Sequence, residues 1–195
     1  IGTHQITYSY NTCNNCLADT TVDVTVNGTT FVNILGLADS YCLNDPQVTI
    51  LGNQQPAGNF TGPIGLVDNN NGTASFDPAV AGVGVHQITY QFTNANGCIS
   101  DTTRTVTVMA LPVVYFSGLQ AQYCVDAQPV TLTGNQQPNG SFSGPGINNI
   151  GLGRAQFNPA IATVGGPYDI TYEYTNPTTG CTNSQTQQVV VHPLP

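Results

Sequence analysis

The chain of 195 residues contains no lysine and no tryptophan, and its only arginines are Arg104 and Arg154. Its formal net charge is −8 at pH 7. A nucleic-acid-binding protein needs a cationic surface that displaces counterions from phosphates, so nucleic acid is excluded as a partner. Attachment to an anionic membrane surface is excluded for the same reason.

Long apolar runs are also missing, because no stretch approaches the roughly 20 residues that span a bilayer, and membrane insertion is therefore not expected. The chain starts at Ile1 and not at a methionine, and it has no apolar signal stretch at its start. We expect part of a mature secreted protein whose targeting segments lie elsewhere or were removed. Only 6% of the residues are charged, yet the apolar residues are regularly placed, which favours a packed β-core over disorder.

The sequence repeats itself. His-Gln-Ile-Thr-Tyr occurs at 4–8 and at 86–90, and Gly-Asn-Gln-Gln-Pro at 52–56 and at 134–138, an offset of 82 residues in each case (86 minus 4, 134 minus 52). This register predicts the C-terminal part of one immunoglobulin-like repeat over 1–34, followed by complete repeats over 35–111 and 112–195. The partial repeat is either a window on a longer array or is completed by strands of another subunit.

Apolar residues alternate with polar ones in the clearest segments, with Ile88, Tyr90 and Phe92 on one face. Period two in β-branched and aromatic residues is typical of half-buried antiparallel strands. About seven short strands in some 80 residues predict an all-β fold of tandem immunoglobulin-like antiparallel sandwiches. The strands are predicted at Gln47–Leu51, Gly58–Thr61, Thr73–Phe76, His86–Thr93 and Thr103–Met109.

Six cysteines, an even number, indicate an oxidising compartment. Each complete repeat has one near its start and one at the head of its last strand, so we predict the disulfides Cys42–Cys98 and Cys124–Cys181. Closing a loop of about 60 residues stabilises the fold by about 4 kcal/mol in the chain-entropy model.

The pair Cys13 and Cys16 is irregular. Cys16 stands at the repeat position of Cys98, so its natural partner is a cysteine further upstream. Cys13 has no equivalent in the other repeats. A local bond between the two and an intermolecular bond from Cys13 both remain open.

No pattern indicates a catalytic, cofactor or metal site, and we do not expect an enzyme. The sequence has no nucleophile elbow, no phosphate-binding glycine loop and no HExxH. No repeat offers four clustered zinc ligands, and calcium at domain junctions is a minor alternative. His4 and His86 share a repeat position that Tyr168 fills in the third repeat, which indicates packing.

The segment 123–195 combines Tyr-Cys, Gly-Asn-Gln-Gln-Pro, Phe-Ser-Gly-Pro-Gly-Ile, Phe-Asn-Pro-Ala and Val-Val-Val-His-Pro-Leu-Pro. It resembles the immunoglobulin-like repeats of very large cell-surface proteins of Bacteroidota, many of which carry gliding-motility-associated sorting domains and use type IX secretion. The resemblance implies a stalk, adhesin or filament at the cell surface. It also implies O-glycosylation at the threonine of Asp-Thr pairs, here at Thr20 and Thr102.

Two functions are therefore expected outside the cell. The first is a stiff, disulfide-stapled structural segment that self-associates into a fibre or continues a longer repeat array. The second is an array of modules that bind a glycan or another cell-surface partner, for which exposed aromatic residues would be required. The aromatic candidates are Tyr41, Tyr115, Phe116 and Tyr123, although Tyr41 and Tyr123 recur 82 positions apart, which indicates packing for these two.

Overall fold

A computed structural model describes residues 1–11 and 16–195. They form two compact units, one containing residues 1–41 and 45–107 and the other residues 42–44 and 108–195. Nearly all regular structure in these residues is β-strand, and the predicted all-β fold of antiparallel sandwiches is confirmed. The repeat boundaries at residues 34 and 111 stay predictions.

The chain begins with a long hairpin. Its strands are β1 (Gly2–Asn11) and β2 (Leu17–Val26). They pair in antiparallel register from Gly2 opposite Val26 to Asn11 opposite Leu17, and among the described residues they form a sheet of two strands.

The next repeat contributes two four-stranded sheets, in the orders β3-β5-β8-β7 and β4-β10-β9-β6. The predicted strands are present, and β8 has the predicted bounds. The elements are β3 (Ile34–Leu35), β4 (Ser40–Cys42), β5 (Val48–Gly52), β6 (Asn59–Thr61), β7 (Leu66–Asp68), β8 (Thr73–Phe76), α1 (Pro78–Ala81), β9 (Gly84–Thr93) and β10 (Ile99–Met109).

The last repeat has the same architecture, with sheet orders β11-β13-β16-β15 and β12-β18-β17-β14. The short strand β12 runs parallel to β18, whereas the other pairings in this repeat are antiparallel. The elements are β11 (Phe116–Ser117), β12 (Gln122–Cys124), β13 (Val130–Gly134), β14 (Ser141–Ser143), β15 (Ile147–Gly151), β16 (Arg154–Phe157), α2 (Pro159–Ala162), β17 (Gly165–Thr175) and β18 (Thr182–His192).

Each repeat buries one face of both its sheets. In the second unit, Leu132 and Phe157 come from one sheet and Ile170 and Tyr172 from the other, and all four are 0% exposed. Burying a side chain of this size contributes about 1.5–3 kcal/mol. The apolar residues of the predicted alternation therefore lie in this core, and the polar residues between them lie on the solvent side.

Two four-residue helices were not predicted, because the apolar period cannot be recognised in so few residues. Asp77 caps α1 by accepting from the backbone N–H groups of Ala79 and Val80. Asn158 caps α2 by accepting from the N–H of Ala160. Since both side chains are good N-caps, the exchange of Asp for Asn between the repeats preserves the structure.

The repeated Gly-Asn-Gln-Gln-Pro motif holds a buried tyrosine. A Cβ atom at Gly52 would lie 2.0 Å from Cζ of Tyr90, so only glycine leaves room for the ring. The Tyr90 hydroxyl donates to the carbonyl oxygens of Gln54 and Ala57 at 3.0 and 2.8 Å. Gly134 and Tyr172 repeat this packing.

Burial also affects the ionisation of this tyrosine. It raises the pKa of Tyr90 above the ordinary value of 10.0, while the hydrogen bond to the Gln54 backbone lowers the pKa and the Asp68 carboxylate raises it further. The phenol therefore remains a hydrogen-bond donor at neutral pH.

The Asn and Gln of the motif hold the chain segment that precedes each repeat. Asn53 Nδ2 and Gln54 Nε2 donate to the carbonyl oxygen of Phe31 at 3.2 and 3.0 Å. Asn135 and Gln136 donate to the carbonyl oxygen of Val113 at 2.9 and 2.7 Å. In each complete repeat, the segment just before the first strand, β3 or β11, is thus hydrogen-bonded to the sandwich that it enters.

We predict that Gly52→Ala lowers the free energy of unfolding by about 1–3 kcal/mol or more, because the Tyr90 ring is fully buried and cannot move away from the new methyl group. Gly28→Ala is the control, since its Cβ would meet only the end of the Ile1 side chain, at 3.3 Å. Urea denaturation followed by far-UV circular dichroism measures both. Equal stability of the two variants would contradict the packing described for Tyr90.

Candidate functional site

The hairpin β1–β2 carries an exposed apolar face. Ile6 and Tyr8 on β1 are 61% and 66% exposed, and Val24 and Val26 on β2 are 40% and 47% exposed. No residue of either strand is buried. An apolar face of this kind is typical of an interaction surface.

The same positions are core residues in both complete repeats. In the first, the residues 82 positions later are Ile88, Tyr90, Val106 and Val108, and their exposures are 0%, 0%, 0% and 1%. In the last repeat the corresponding residues are equally buried. They are Ile170, Tyr172, Val189 and Val191.

What covers this face in a complete repeat is the part of the repeat that precedes its hairpin. Gly52 of β5, in the opposite sheet, lies against the Tyr90 ring, whereas Phe60 of β6 lies beside Tyr90 in the same sheet. In the last repeat, Phe116 of β11 comes from the opposite sheet and packs against Tyr172 with ring centroids 6.3 Å apart. The exposed hairpin surface is therefore complementary to strands like β3–β8.

The cysteines are paired differently from the prediction. Cys42 is bonded to Cys181, with their Cα atoms 5.5 Å apart. Cys98 is a half-buried free thiol and Cys124 an exposed one. The predicted pairs Cys42–Cys98 and Cys124–Cys181 are therefore wrong.

The register of β12 on β18 explains this correction. Cys124 lies opposite His192, the last residue of β18, whereas Cys181 immediately precedes Thr182, the first residue of the same strand. Eleven strand residues span roughly 33–36 Å, and a disulfide requires Cα atoms within about 7 Å. A bond between Cys124 and Cys181 of one repeat is sterically impossible.

Cys42 lies in the same compact unit as Cys181. That unit includes residues 42–44 together with 108–195. Leu43 N–H donates to the carbonyl oxygen of Met109 at 3.0 Å, and Asn44 Nδ2 donates to that of Thr182 at 3.3 Å. The bond thus joins cysteines from two successive sequence repeats inside one compact unit.

The other predicted residues are not brought together. Cys16 is exposed immediately before β2, and Cys13 lies outside the described residues, so the pairing predicted for them stays a prediction. Thr20 is exposed on β2 and Thr102 is half-buried on β10, and their O-glycosylation also stays a prediction.

Most of the aromatic candidates for ligand binding are core residues. Tyr41, Phe116 and Tyr123 are 9%, 5% and 8% exposed, whereas Tyr115 is 56% exposed. The predicted packing of Tyr41 and Tyr123 is therefore present, and Phe116 is not available to a ligand.

The histidine position also has a structural contact. His86 Nε2 lies 2.8 Å from the carbonyl oxygen of Gly82, and the Tyr168 hydroxyl lies 3.4 Å from Thr163 Oγ1 at the same repeat position. His4 is exposed.

Within residues 1–11 and 16–195 there is no pocket and no group of three or more His, Cys, Asp or Glu that could hold a metal ion. No helix in this part of the chain is long and apolar enough to cross a membrane.

No known family's sequence profile matches the chain, and no curated protein matches its sequence. Solved structures show distant likenesses. A Ca²⁺-stabilised adhesin that helps an Antarctic bacterium bind ice has 14% identity and a TM-score of 0.42, over 99% of this chain and 57% of that chain. Fibronectin(III)-like modules of Clostridium thermocellum CbhA have 13% identity and a TM-score of 0.35, over 84% and 95%.

Invasin, a bacterial integrin-binding protein, has 16% identity and a TM-score of 0.29, over 91% of this chain and 44% of that chain. This chain therefore spans less than two thirds of the adhesin and of invasin. Because all three TM-scores lie below 0.5, the fold assignment rests on the sheet topology of the chain itself.

We predict that Ile88→Ala lowers the free energy of unfolding by about 2–5 kcal/mol, because it leaves a cavity in a closed core. Ile6→Ala is the matched change at the same repeat position and is expected to cost no more than about 0.5 kcal/mol, because Ile6 is exposed. Urea denaturation of the two variants measures the difference. Equal losses would show that the hairpin face is already covered within the chain.

We predict that Cys42→Ser destabilises the second unit by about 2–5 kcal/mol, since it removes a bond that closes a loop of 139 residues. Cys98→Ser is the control and is expected to change stability by no more than about 0.5 kcal/mol. Denaturation without reductant measures both. A loss in Cys98→Ser as large as in Cys42→Ser would contradict the Cys42–Cys181 pairing.

Proposed function

We propose that this chain is a structural segment of an extracellular filament or cell-surface stalk, built from successive immunoglobulin-like repeats, and that it catalyses no reaction. The single observation that carries the proposal is the hairpin β1–β2. It has the sequence of a core hairpin, but its apolar face is exposed.

The occupant of that face is the first part of a further repeat, equivalent to strands β3–β8. Ile6 and Tyr8 repeat the residues Ile88 and Tyr90, which are fully buried in the complete repeat, where Gly52 of the opposite sheet lies against the Tyr90 ring. A hairpin with four large apolar residues exposed gains the free energy of hydrophobic burial when such strands cover it. The repeat pattern is therefore expected to continue beyond the two complete sandwiches.

The disulfide supports a load-bearing, extracellular role. It is covalent and joins cysteines 139 residues apart that belong to successive sequence repeats, so tension applied along the array passes through it as well as through the backbone. Disulfides persist in oxidising surroundings such as the cell exterior.

The connections between repeats favour stiffness. The segment around Phe31 is hydrogen-bonded to Asn53 and Gln54, and the segment around Val113 is bonded to the corresponding Asn and Gln. A connection that is fixed to its own sandwich has fewer free torsions than a flexible linker. We include in the proposal the surface location and type IX export that the resemblance to Bacteroidota repeats implies.

A second candidate function is an array of binding modules for a glycan or another cell-surface partner. The observation that favours it is a recurrent exposed apolar residue. Phe31 and Val113, 82 positions apart, are 76% and 72% exposed, and Tyr115 lies close to Val113 in sequence at 56% exposed. Such residues are suited to stacking on a sugar ring or packing against a protein partner.

Electron microscopy of the protein isolated from its source tests the first proposal. A continuous fibre or stalk with an axial repeat on the order of 30–45 Å, the length of a sandwich of short strands, is expected. Isolated particles or short flexible rods would overturn the structural proposal. Binding to a glycan array that is lost in Phe31→Ser would then support the second candidate.

A further inference from the structure

The second compact unit includes three residues of the preceding sequence repeat. Residues 42–44 are held there by the bond from Cys42 to Cys181, by Leu43 N–H to Met109 O and by Asn44 Nδ2 to Thr182 O. This arrangement has two halves. One half is the cysteine that ends the second short strand of a repeat, here β4, and the other is the cysteine that precedes the last strand of the next repeat, here β18.

Within the two complete repeats, each half occurs once more, without its partner. Cys124 stands 82 positions after Cys42. Cys98 stands at the repeat position of Cys181, and a glycine precedes both Cys98 and Cys181. Both Cys98 and Cys124 are free thiols with access to solvent.

The backbone around both thiols already has the geometry seen at the bonded pair. Val125 N–H donates to His192 O at 3.0 Å, as Leu43 N–H does to Met109 O at 3.0 Å. Asn94 N–H donates to Cys98 O at 3.0 Å, as Asn176 N–H does to Cys181 O at 2.9 Å. One contact is not repeated, because Asp126 replaces Asn44 and a carboxylate cannot donate to a carbonyl.

Resting on the proposed repeat array, we propose that Cys98 and Cys124 are the two open halves of the same inter-repeat disulfide. Cys124 bonds to the cysteine that precedes the last strand of a following repeat. Cys98 bonds to the cysteine that ends the second short strand of a preceding repeat. Disulfides of this kind then connect each repeat to the next along the array.

Formation of each bond removes two protons and two electrons from two thiols. A small-molecule or protein disulfide is the oxidant. The Cys124 thiolate attacks one of its sulfurs and releases one thiol, and the thiolate of the partner cysteine then attacks the Cys124 sulfur of the mixed disulfide and releases the second. The oxidant is reduced to two thiols, so electrons and protons balance.

The test is the full chain with a second copy of residues 113–195 added after Pro195. The junction is natural, because Leu194-Pro195 repeats Leu111-Pro112. Thr178→Ser in the added copy marks its peptide by mass. The protein is refolded with reduced and oxidised glutathione, alkylated, digested without reduction and analysed by peptide mass spectrometry.

The expected result is a cross-linked peptide joining Cys124 to the cysteine at position 181 of the added copy, together with the Cys42–Cys181 peptide of the original chain. In the control Cys124→Ser, the added copy's cysteine is expected to be alkylated while Cys42–Cys181 is unchanged. Alkylated Cys124, or Cys124 bonded to any other cysteine, would overturn the proposal.

The Cys42–Cys181 peptide in the same digest reports that the original repeats have folded, and its absence would overturn the pairing on which the inference rests. The measurement concerns consecutive repeats of one chain. A failure to see filaments by electron microscopy would therefore leave a positive result here unaffected, and the two proposals can fail separately.

Discussion

In each complete repeat the apolar face of a long hairpin has to be covered by the strands that precede it, and the rest of the fold is arranged around this constraint. A tyrosine lies at the centre of the face, with Tyr90 and Tyr172 in equivalent places. Glycines at 52 and 134 make room for their rings, and the residues that follow fix the incoming chain. Because one motif performs both tasks, it recurs almost unchanged although the surrounding loops differ.

The hairpin β1–β2 has no such covering strands among the described residues. Its pairing register is complete over ten residues on each strand. Its apolar side chains nevertheless remain in water, and a two-stranded sheet has little stability of its own. The partial repeat thus exposes an apolar face that the complete repeats bury, and in the proposed longer array the strands of a further repeat cover this face.

The strands and the repeat were predictable from the sequence because their signals are local. Alternation places Ile88 and Tyr90 on one face, and the structure buries both. The exchange of Asp77 for Asn158 removes a carboxylate but conserves a helix cap, because either side chain accepts a hydrogen bond from the first turn. The meaning of Gly52 and Gln54 was not accessible from the sequence, because the tyrosine that they contact lies more than 30 residues away.

The sequence by itself determined the β-class, the offset of 82 residues and the buried face of each long strand, since the period of two and the spacing of the motifs are properties of the chain in order. Only the tertiary structure decided which cysteines meet. The order of cysteines along the chain suggested one bond within each repeat, but the second short strand of the last repeat, β12, runs parallel to the last strand, β18. This places Cys124 and Cys181 at opposite ends of a strand of eleven residues. A disulfide depends on distance in space, and strand direction sets that distance.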